Sequence, residues 1–168
     1  MEESELKKIL ILFFILILGL TGCSSKQSQT NQNVENADVE NPMTEVESLD
    51  KLSEVLGFTF VVPETIDEII DKQYIAYEKL GLAEVNWLDG EEYFAFARKM
   101  RTDNLGEDSL SGIYETFDEI KEVEGYKLSK IGDIAYISEW EKGEYSFAFV
   151  MLNGASEEVI VELSKKIK

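Results

Sequence analysis

Few types of side chain in this sequence are suited to acid–base, nucleophilic or metal chemistry. Its 168 residues include 34 Asp and Glu, 16 Lys and Arg, one cysteine and no histidine. The missing histidine excludes Ser-His-Asp and Cys-His catalysis and any imidazole-bound metal. A single cysteine excludes a disulfide framework and every Cys-x-x-Cys site. The formal net charge of −18 argues against a nucleic-acid partner, because few basic residues are available to neutralise phosphates.

Paired carboxylates, or a serine with a lysine, are the remaining routes to hydrolysis. Acidic pairs occur at Glu91-Glu92, Asp118-Glu119 and Glu157-Glu158, but a chain this acidic contains such pairs by chance. Ser48-Leu49-Asp50-Lys51 has the Ser-x-x-Lys spacing, yet its serine stands where a helix cap is expected. We therefore predict that the protein is not an enzyme, and we keep a carboxylate-based hydrolase as a less favoured alternative.

Oxygen-bearing side chains are also concentrated between Asp103 and Ser109, around Gly106. Such a run supplies the ligands that Ca²⁺ prefers, but its spacing is not that of an EF-hand. Asn, Gly and Asp are ordinary turn residues as well. The sequence therefore predicts a turn here, and it predicts neither a metal nor another cofactor.

Aromatic side chains form the largest set that could contact a ligand. Aromatic rings usually build the core of a small domain, and the alternative is a hydrophobic groove for a lipid, a peptide or a small molecule. The sequence leaves both interpretations open. The candidate ligand-facing residues are Trp87, Phe94, Phe96, Tyr136, Trp140, Phe147 and Phe149, with Tyr145 beside them.

The first 22 residues have the layout of a secretory signal peptide. Lys7 and Lys8 precede ten consecutive apolar residues, which run from Ile9 to Leu18. A helix from Ile9 to Leu20 would be about 18 Å long, which is too short for a hydrocarbon core of about 30 Å. Residues 1–22 are therefore predicted to be a cleaved signal peptide rather than a transmembrane anchor.

The segment Leu20-Thr21-Gly22-Cys23 at the end of this run resembles the lipobox of bacterial lipoproteins. That resemblance implies that the Cys23 thiol carries diacylglycerol and that Cys23 becomes the first mature residue. Each buried CH₂ contributes about 0.8 kcal/mol, so two or more acyl chains hold a protein firmly at a membrane. We expect a lipid-anchored protein on the outer face of the cytoplasmic membrane of a Gram-positive cell.

Residues 23–40 are polar, without aromatics or periodicity, and are predicted to be a disordered linker. The remaining residues, 41–168, suit one domain with one core. Ser48 and Gly57 bracket a short amphipathic helix, and Ser156 begins a closing helix. Phe58 to Val62 is predicted to be a strand.

Two hairpins are predicted between these helices. Asp89-Gly90 marks the first turn, with Trp87 opposite Glu92. Lys142-Gly143 marks the second turn, with Trp140 opposite Tyr145. The prediction is an α+β fold with a curved antiparallel sheet of about five or six strands. The helices are expected to pack against the alanine-rich face of this sheet.

The predicted domain resembles a family of unknown function, domain of unknown function 4367, found in lipoproteins of Gram-positive bacteria. The Asp89-Gly90 turn, Ser111-Gly112-Ile113-Tyr114 and the final helix fit this family. The resemblance implies an extracytoplasmic, membrane-tethered α+β domain and no catalytic residues. It also rests on residues near the start of the domain: Asn41, Pro42, Thr44, Val46, Ser48, Leu49, Gly57, Phe58 and Pro63.

The sequence thus favours a non-enzymatic binding or sensing domain held at the membrane by a lipid. Its partner would be a peptide, a lipid-like molecule or another envelope protein. The alternative is a regulatory interaction domain for an envelope signalling protein, similar to anti-sigma regulators.

Overall fold

The computed structural model of the chain describes residues 43–106 and 108–168. The predicted signal peptide, Cys23 and the linker 23–40 lie outside the described residues. Within the described part, no helix is both long enough and apolar enough to span a membrane.

One antiparallel sheet of eight strands organises the domain, which confirms the α+β class and corrects the predicted five or six strands. The spatial order is β1-β2-β3-β4-β8-β7-β6-β5. The short first strand and the charged, exposed fifth strand lack the apolar alternation that predicts a strand from sequence. The strands are β1 (Thr44–Val46), β2 (Lys72–Tyr77), β3 (Leu82–Asp89), β4 (Glu92–Arg101), β5 (Glu119–Val123), β6 (Tyr126–Ile131), β7 (Ile134–Lys142) and β8 (Tyr145–Ala155).

The two predicted helices are present with their predicted caps. Helix α1 (Leu49–Leu56) begins after Ser48, whose side chain accepts a hydrogen bond from the backbone of Lys51, and ends at Gly57 in the left-handed conformation. A single turn, α2 (Thr102–Leu105), follows β4. Helix α3 (Glu157–Ser164) begins after Ser156, which caps the backbone N–H of Val159.

The predicted strand Phe58–Val62 is absent from the sheet. Val61 instead exchanges two backbone hydrogen bonds with Lys168, at 2.8 and 2.9 Å. This segment therefore pairs with the end of the chain, a partner more than a hundred residues away that local periodicity does not reveal.

The first predicted hairpin is confirmed, but its predicted register is wrong. Asp89 pairs with Glu92, so the turn is centred on Gly90-Glu91. A bulge then adds one residue to β4, and Trp87 lies opposite Ala95 instead of Glu92. Because one extra residue reverses the faces, Phe96 lies opposite Asn86, away from Trp87.

The second hairpin is shifted by two residues from its predicted pairing. Lys142 pairs with Tyr145, and Trp140 pairs with Phe147 rather than with Tyr145. A shift of two keeps the side chains from Ile137 to Lys142 on their predicted faces, because side chains alternate with a period of two. Trp140 and Phe147 therefore still share a face, and their rings stack at 5.2 Å. A bulge between Ala135 and Ile137 breaks this pattern, so Ala135 joins the core cluster and Tyr136 loses its predicted pairing with Phe149.

The helices pack on the face that carries the large aromatic rings, which corrects the expectation that they cover an opposite, alanine-rich face. We call this the inner face. The register of the first hairpin places alanines directly beside the rings, and these small side chains leave room for the helices. Its buried members include Ala83, Trp87, Ala95, Ala97, Phe147 and Phe149, packed with Leu52 of α1 and with Ile160 and Ile167 near the C-terminus.

The other face, which we call the polar face, carries charged side chains on adjacent strands. Glu84 of β3 lies opposite Arg98 of β4, and Lys127 of β6 lies opposite Glu139 of β7. Charged groups on a sheet face need partners or water. A chain segment that crosses this face supplies many of those partners.

Candidate functional site

The seven aromatic residues predicted as candidate ligand contacts do not converge on one groove. Trp87 and Phe149 are fully buried, and Phe147 and Trp140 are nearly so. These four rings belong to the inner-face core, where Trp87 meets Phe149 edge-on at 6.4 Å. Their surroundings are those of packing residues.

The remaining three aromatics are half-buried at separate places. Phe94 is the extra residue at the β4 bulge and packs against the inner core. Phe96 lies on the polar face, with the guanidinium of Arg98 4.7 Å from its ring centre. Tyr136 lies at a bulge in β7, with its ring 6.5 Å from that of Phe117.

The strap, which we define as residues 108–118, is a consequence of the sheet order. Strand β4 lies in the middle of the sheet, whereas β5, the next strand along the chain, lies at its edge. The connection must pass β8, β7 and β6, and it does so across the polar face. Its contacts follow that path, from Leu110 beside Ala148 of β8 to the backbone of Asp118, which donates to Lys130 of β6.

Arg98 holds the strap at its centre. Its Nη1 donates to the carbonyl oxygens of Ser111 at 2.7 Å and Leu110 at 3.3 Å. Its Nε donates to the Glu84 carboxylate at 2.6 Å, and that carboxylate is almost buried. Because a guanidinium has several N–H donors in a rigid plane, one side chain joins β3, β4 and the strap.

Glu139 holds the strap from β7. Its Oε1 accepts hydrogen bonds from the Ser109 hydroxyl at 2.6 Å and from the backbone N–H of Ser111 at 3.1 Å. The hydroxyls of Ser109 and Ser111 are themselves 2.7 Å apart. The other oxygen, Oε2, lies 4.0 Å from the ammonium of Lys127. Hydrogen bonds to a charged group are stronger than neutral ones, so this carboxylate is a substantial anchor.

A glycine is required where the strap passes over Arg98. Gly112 has a φ of +65°, which side chains rarely adopt. A Cβ on this residue would also lie 2.6 Å from Nη1 of Arg98. The strap can therefore approach the guanidinium this closely only with glycine at position 112.

An open groove of about 570 Å³ lies between the strap and strands β5 to β8. Leu105 and Leu110 provide apolar surface on the strap side. Trp140 and Phe147 border the groove on the sheet side, but their rings belong to the inner-face core. Its volume falls within the range of small-molecule and side-chain binding sites. The charged residues that line it are Asp108, Glu122, Lys127, Glu139 and Glu141.

Negative charge dominates this groove. Four carboxylates face one lysine, and Glu139 already has partners in Ser109 and Ser111. The carboxylates of Asp108, Glu122 and Glu141 form no ion pair or hydrogen bond with other described residues. An uncompensated carboxylate at an apolar groove favours a cation over an anion or a neutral ligand.

Of the run considered for metal binding, Asp108 and Ser109 line this groove, whereas Asp103 and Asn104 have partners elsewhere. Asp103 pairs with Arg101, and Asn104 donates to the carbonyl of Leu80. Among the described residues, no group of three or more Asp, Glu, Cys or His is placed to hold a metal ion. The acidic pairs also lie apart, with Glu91-Glu92 at the β3–β4 turn and Glu157-Glu158 at the start of α3.

Lys99 is a buried cation on the inner face. Its Nζ lies 4.4 Å from the ring centre of Tyr145 and within 5.3 Å of Phe58 and Phe147, and it donates to the carbonyl of Thr59 at 2.5 Å. Burial lowers the pKa of Lys99. These contacts attach the segment after α1 to the sheet, which assigns Lys99 a structural role.

Sequence reasoning missed Arg98 and Glu139, and it considered Ser109 and Ser111 only as part of a turn and of a family resemblance. A charged residue within an apolar alternation, such as Arg98 between Ala97 and Lys99, was the only available signal. Its meaning depends on the order of the strands. Comparisons with models of protein families, with curated proteins and with solved structures found no match to this chain.

Proposed function

We propose that this protein is a membrane-tethered, extracytoplasmic binding domain without enzymatic activity, and that the groove beneath the strap is its binding site. The observation that carries the proposal is the groove itself, with apolar surface from Leu105 and Leu110 and an excess of carboxylates at its rim. Concave apolar sites with a few polar groups are where proteins usually bind ligands.

The lining favours a basic peptide or a basic segment of an envelope protein among the partners expected from sequence. Leu105 and Leu110 suit the apolar stem of a lysine or arginine side chain or a neighbouring apolar residue. The carboxylates of Glu122 and Glu141 suit its charged end. A lipid-like molecule with an anionic headgroup is disfavoured by the same charges.

The membrane tether rests on the sequence. The lipobox-like Leu20-Thr21-Gly22-Cys23 and the polar residues 24–40 support a domain displayed on a flexible arm. Tethering favours a partner that also resides at the membrane, because both molecules are then confined to a thin layer.

Calorimetric titration of the full chain, in non-ionic detergent at low salt, tests the groove. The probe is a pentapeptide of alternating lysine and leucine. We expect binding, and we expect the double variant Glu122→Gln, Glu141→Gln to weaken it by about tenfold, because exposed charge pairs contribute up to about 1 kcal/mol each.

The matched control is Glu91→Gln, Glu92→Gln, which removes the same charge at the β3–β4 turn, outside the groove. We expect the control to bind the peptide almost as the parent chain does. Equal weakening by both variants would mean that the peptide senses only the overall negative charge, and the groove proposal would then be wrong.

A further inference from the structure

The carboxylate of Glu139 faces the strap and the groove at the same time. Its Oε1 holds Ser109 and Ser111 of the strap, and its Oε2 faces Lys127, a residue that lines the groove. The Glu139 side chain is only 18% exposed, whereas that of Lys127 is 57% exposed. A cationic ligand in the groove would approach Oε2 of Glu139. The ammonium group of Lys127 already lies near this oxygen, but at 4.0 Å the contact is loose.

Resting on the proposed function, we infer that a cationic ligand in the groove and the strap compete for Glu139, so that ligand binding loosens the strap. A ligand ammonium or guanidinium that displaces Lys127 approaches Oε2 more closely than 4.0 Å. A carboxylate that turns toward a charge-assisted partner gives weaker acceptor geometry to its other donors. Those donors are the Ser109 hydroxyl and the Ser111 N–H.

The strap is suited to this response because it has separate anchors. Arg98 keeps its hydrogen bonds to the carbonyl oxygens of Leu110 and Ser111 even when the hydrogen bonds between Glu139 and the strap are broken. Leu110 also stays within the small apolar cluster with Leu82, Met100 and Ala148. Release at Glu139 therefore frees the part of the strap near Ser109 and leaves its centre attached. Ligand occupancy becomes a local change on the polar face, where another protein could detect it.

Thermodynamic linkage requires the effect to act in both directions. If the ligand weakens the contact between the strap and Glu139, then weakening that contact must strengthen ligand binding by the same factor. The variant Ser109→Ala removes the 2.6 Å hydrogen bond to Glu139 without changing any charge. We expect this variant to bind the lysine–leucine pentapeptide severalfold more tightly than the parent chain.

The matched control is Ser129→Ala, a buried serine of β6 that does not line the groove. Its affinity for the peptide should remain that of the parent chain. A Ser109→Ala variant whose affinity is unchanged or weaker would overturn the competition, provided that the parent chain binds.

Hydrogen–deuterium exchange of the full chain gives the second readout. We expect saturating pentapeptide to speed exchange of the backbone N–H of Ser111 by about tenfold, the scale of one lost charge-assisted hydrogen bond. In Glu139→Gln, exchange at this N–H should already be fast and should no longer respond to the peptide. Binding with unaltered or slower exchange at Ser111 overturns the competition and leaves the groove function intact. Absence of binding to the parent chain overturns both proposals.

Discussion

At the scale of single residues, the described domain depends on side chains whose partners are distant in sequence. Arg98 reaches Glu84, Leu110 and Ser111, and Glu139 reaches Ser109. Each of these contacts bridges at least 12 residues of chain. The clearest residue requirement among them is glycine at position 112, because both its backbone angle and the nearby guanidinium exclude a side chain.

Substitution of Gly112 by alanine should destabilise the domain by about 2 kcal/mol. Positive φ costs a residue with a Cβ about 1 kcal/mol, and displacement of the Arg98 contacts adds a similar amount. The control is Gly90→Ala, because Gly90 has the same φ of +65° with open space around its Cβ position. Urea denaturation should show a larger loss for Gly112→Ala, and equal losses would contradict the contact with Arg98.

Lys99 should make the domain more stable as the pH rises in the alkaline range. Its folded-state pKa lies below the usual 10.5, so the folded protein releases this proton before the unfolded chain does. Stability relative to Lys99→Met should therefore increase between that lowered pKa and pH 10.5. The comparison cancels the other lysines and the tyrosines, which both proteins share. A stability difference that is flat across this range would contradict the lowered pKa.

At the scale of elements, the edge of the sheet is joined to α3 by ion pairs. Glu157, in the first turn of α3, accepts from Lys121 of β5 at 2.8 Å and from Lys130 of β6. The two lysines lower the pKa of the Glu157 carboxyl, and Glu157 in turn raises the pKa of Lys130. This arrangement explains how a charged strand that is exposed on one side remains in the sheet.

Replacement of Glu157 by glutamine should lower the melting temperature most at neutral pH. The folded-state pKa of Glu157 lies below 4.5, so its stabilisation is complete above pH 4.5 and is lost as the pH falls through the lowered value. The difference from the parent chain should therefore shrink in acid. Glu158→Gln removes a charge from the same helical turn, and Glu158 has no lysine partner among the described residues. If both variants gave the same pH profile, the lysine pairs would not be the cause.

At the scale of the whole molecule, sheet order is the property on which the proposed site depends. Two four-strand halves meet where β4 pairs with β8, and because of this pairing the strap, residues 108–118, crosses the polar face. The strap and the groove both arise from that one connection. The prominent aromatic residues fill the opposite face, where they pack with α1 and α3.

The proposed tether also concerns the whole molecule, and if it is present, Cys23→Ser should release the protein from the membrane. Without the thiol no diacylglycerol can be attached. Fractionation of cells should move the variant out of the membrane fraction, whereas Ser24→Ala should remain with the membranes. A membrane-bound Cys23→Ser protein would contradict lipid attachment.

Local chemistry in the sequence determined the elements that depend on near neighbours. Ser48 and Ser156 as caps, Gly57 as a helix end and the two hairpins were predictable, because each involves contacts within a few residues. The α+β class follows from the same elements. Face assignments in the second hairpin also survived between Ile137 and the turn, since the register error there was an even number, but the bulge at Tyr136 overturned those of Ala135 and Tyr136.

Only the tertiary structure decided the site. The adjacency of β4 and β8 and the convergence of Arg98 and Glu139 on the strap both involve residues that the sequence separates. Each depends on which strands become neighbours, and many strand orders bury the same apolar faces equally well. Local alternation of apolar and polar residues indicates which residues share a face of a strand. The residues of other strands that they contact on that face depend on which strands pair by backbone hydrogen bonds in the whole sheet.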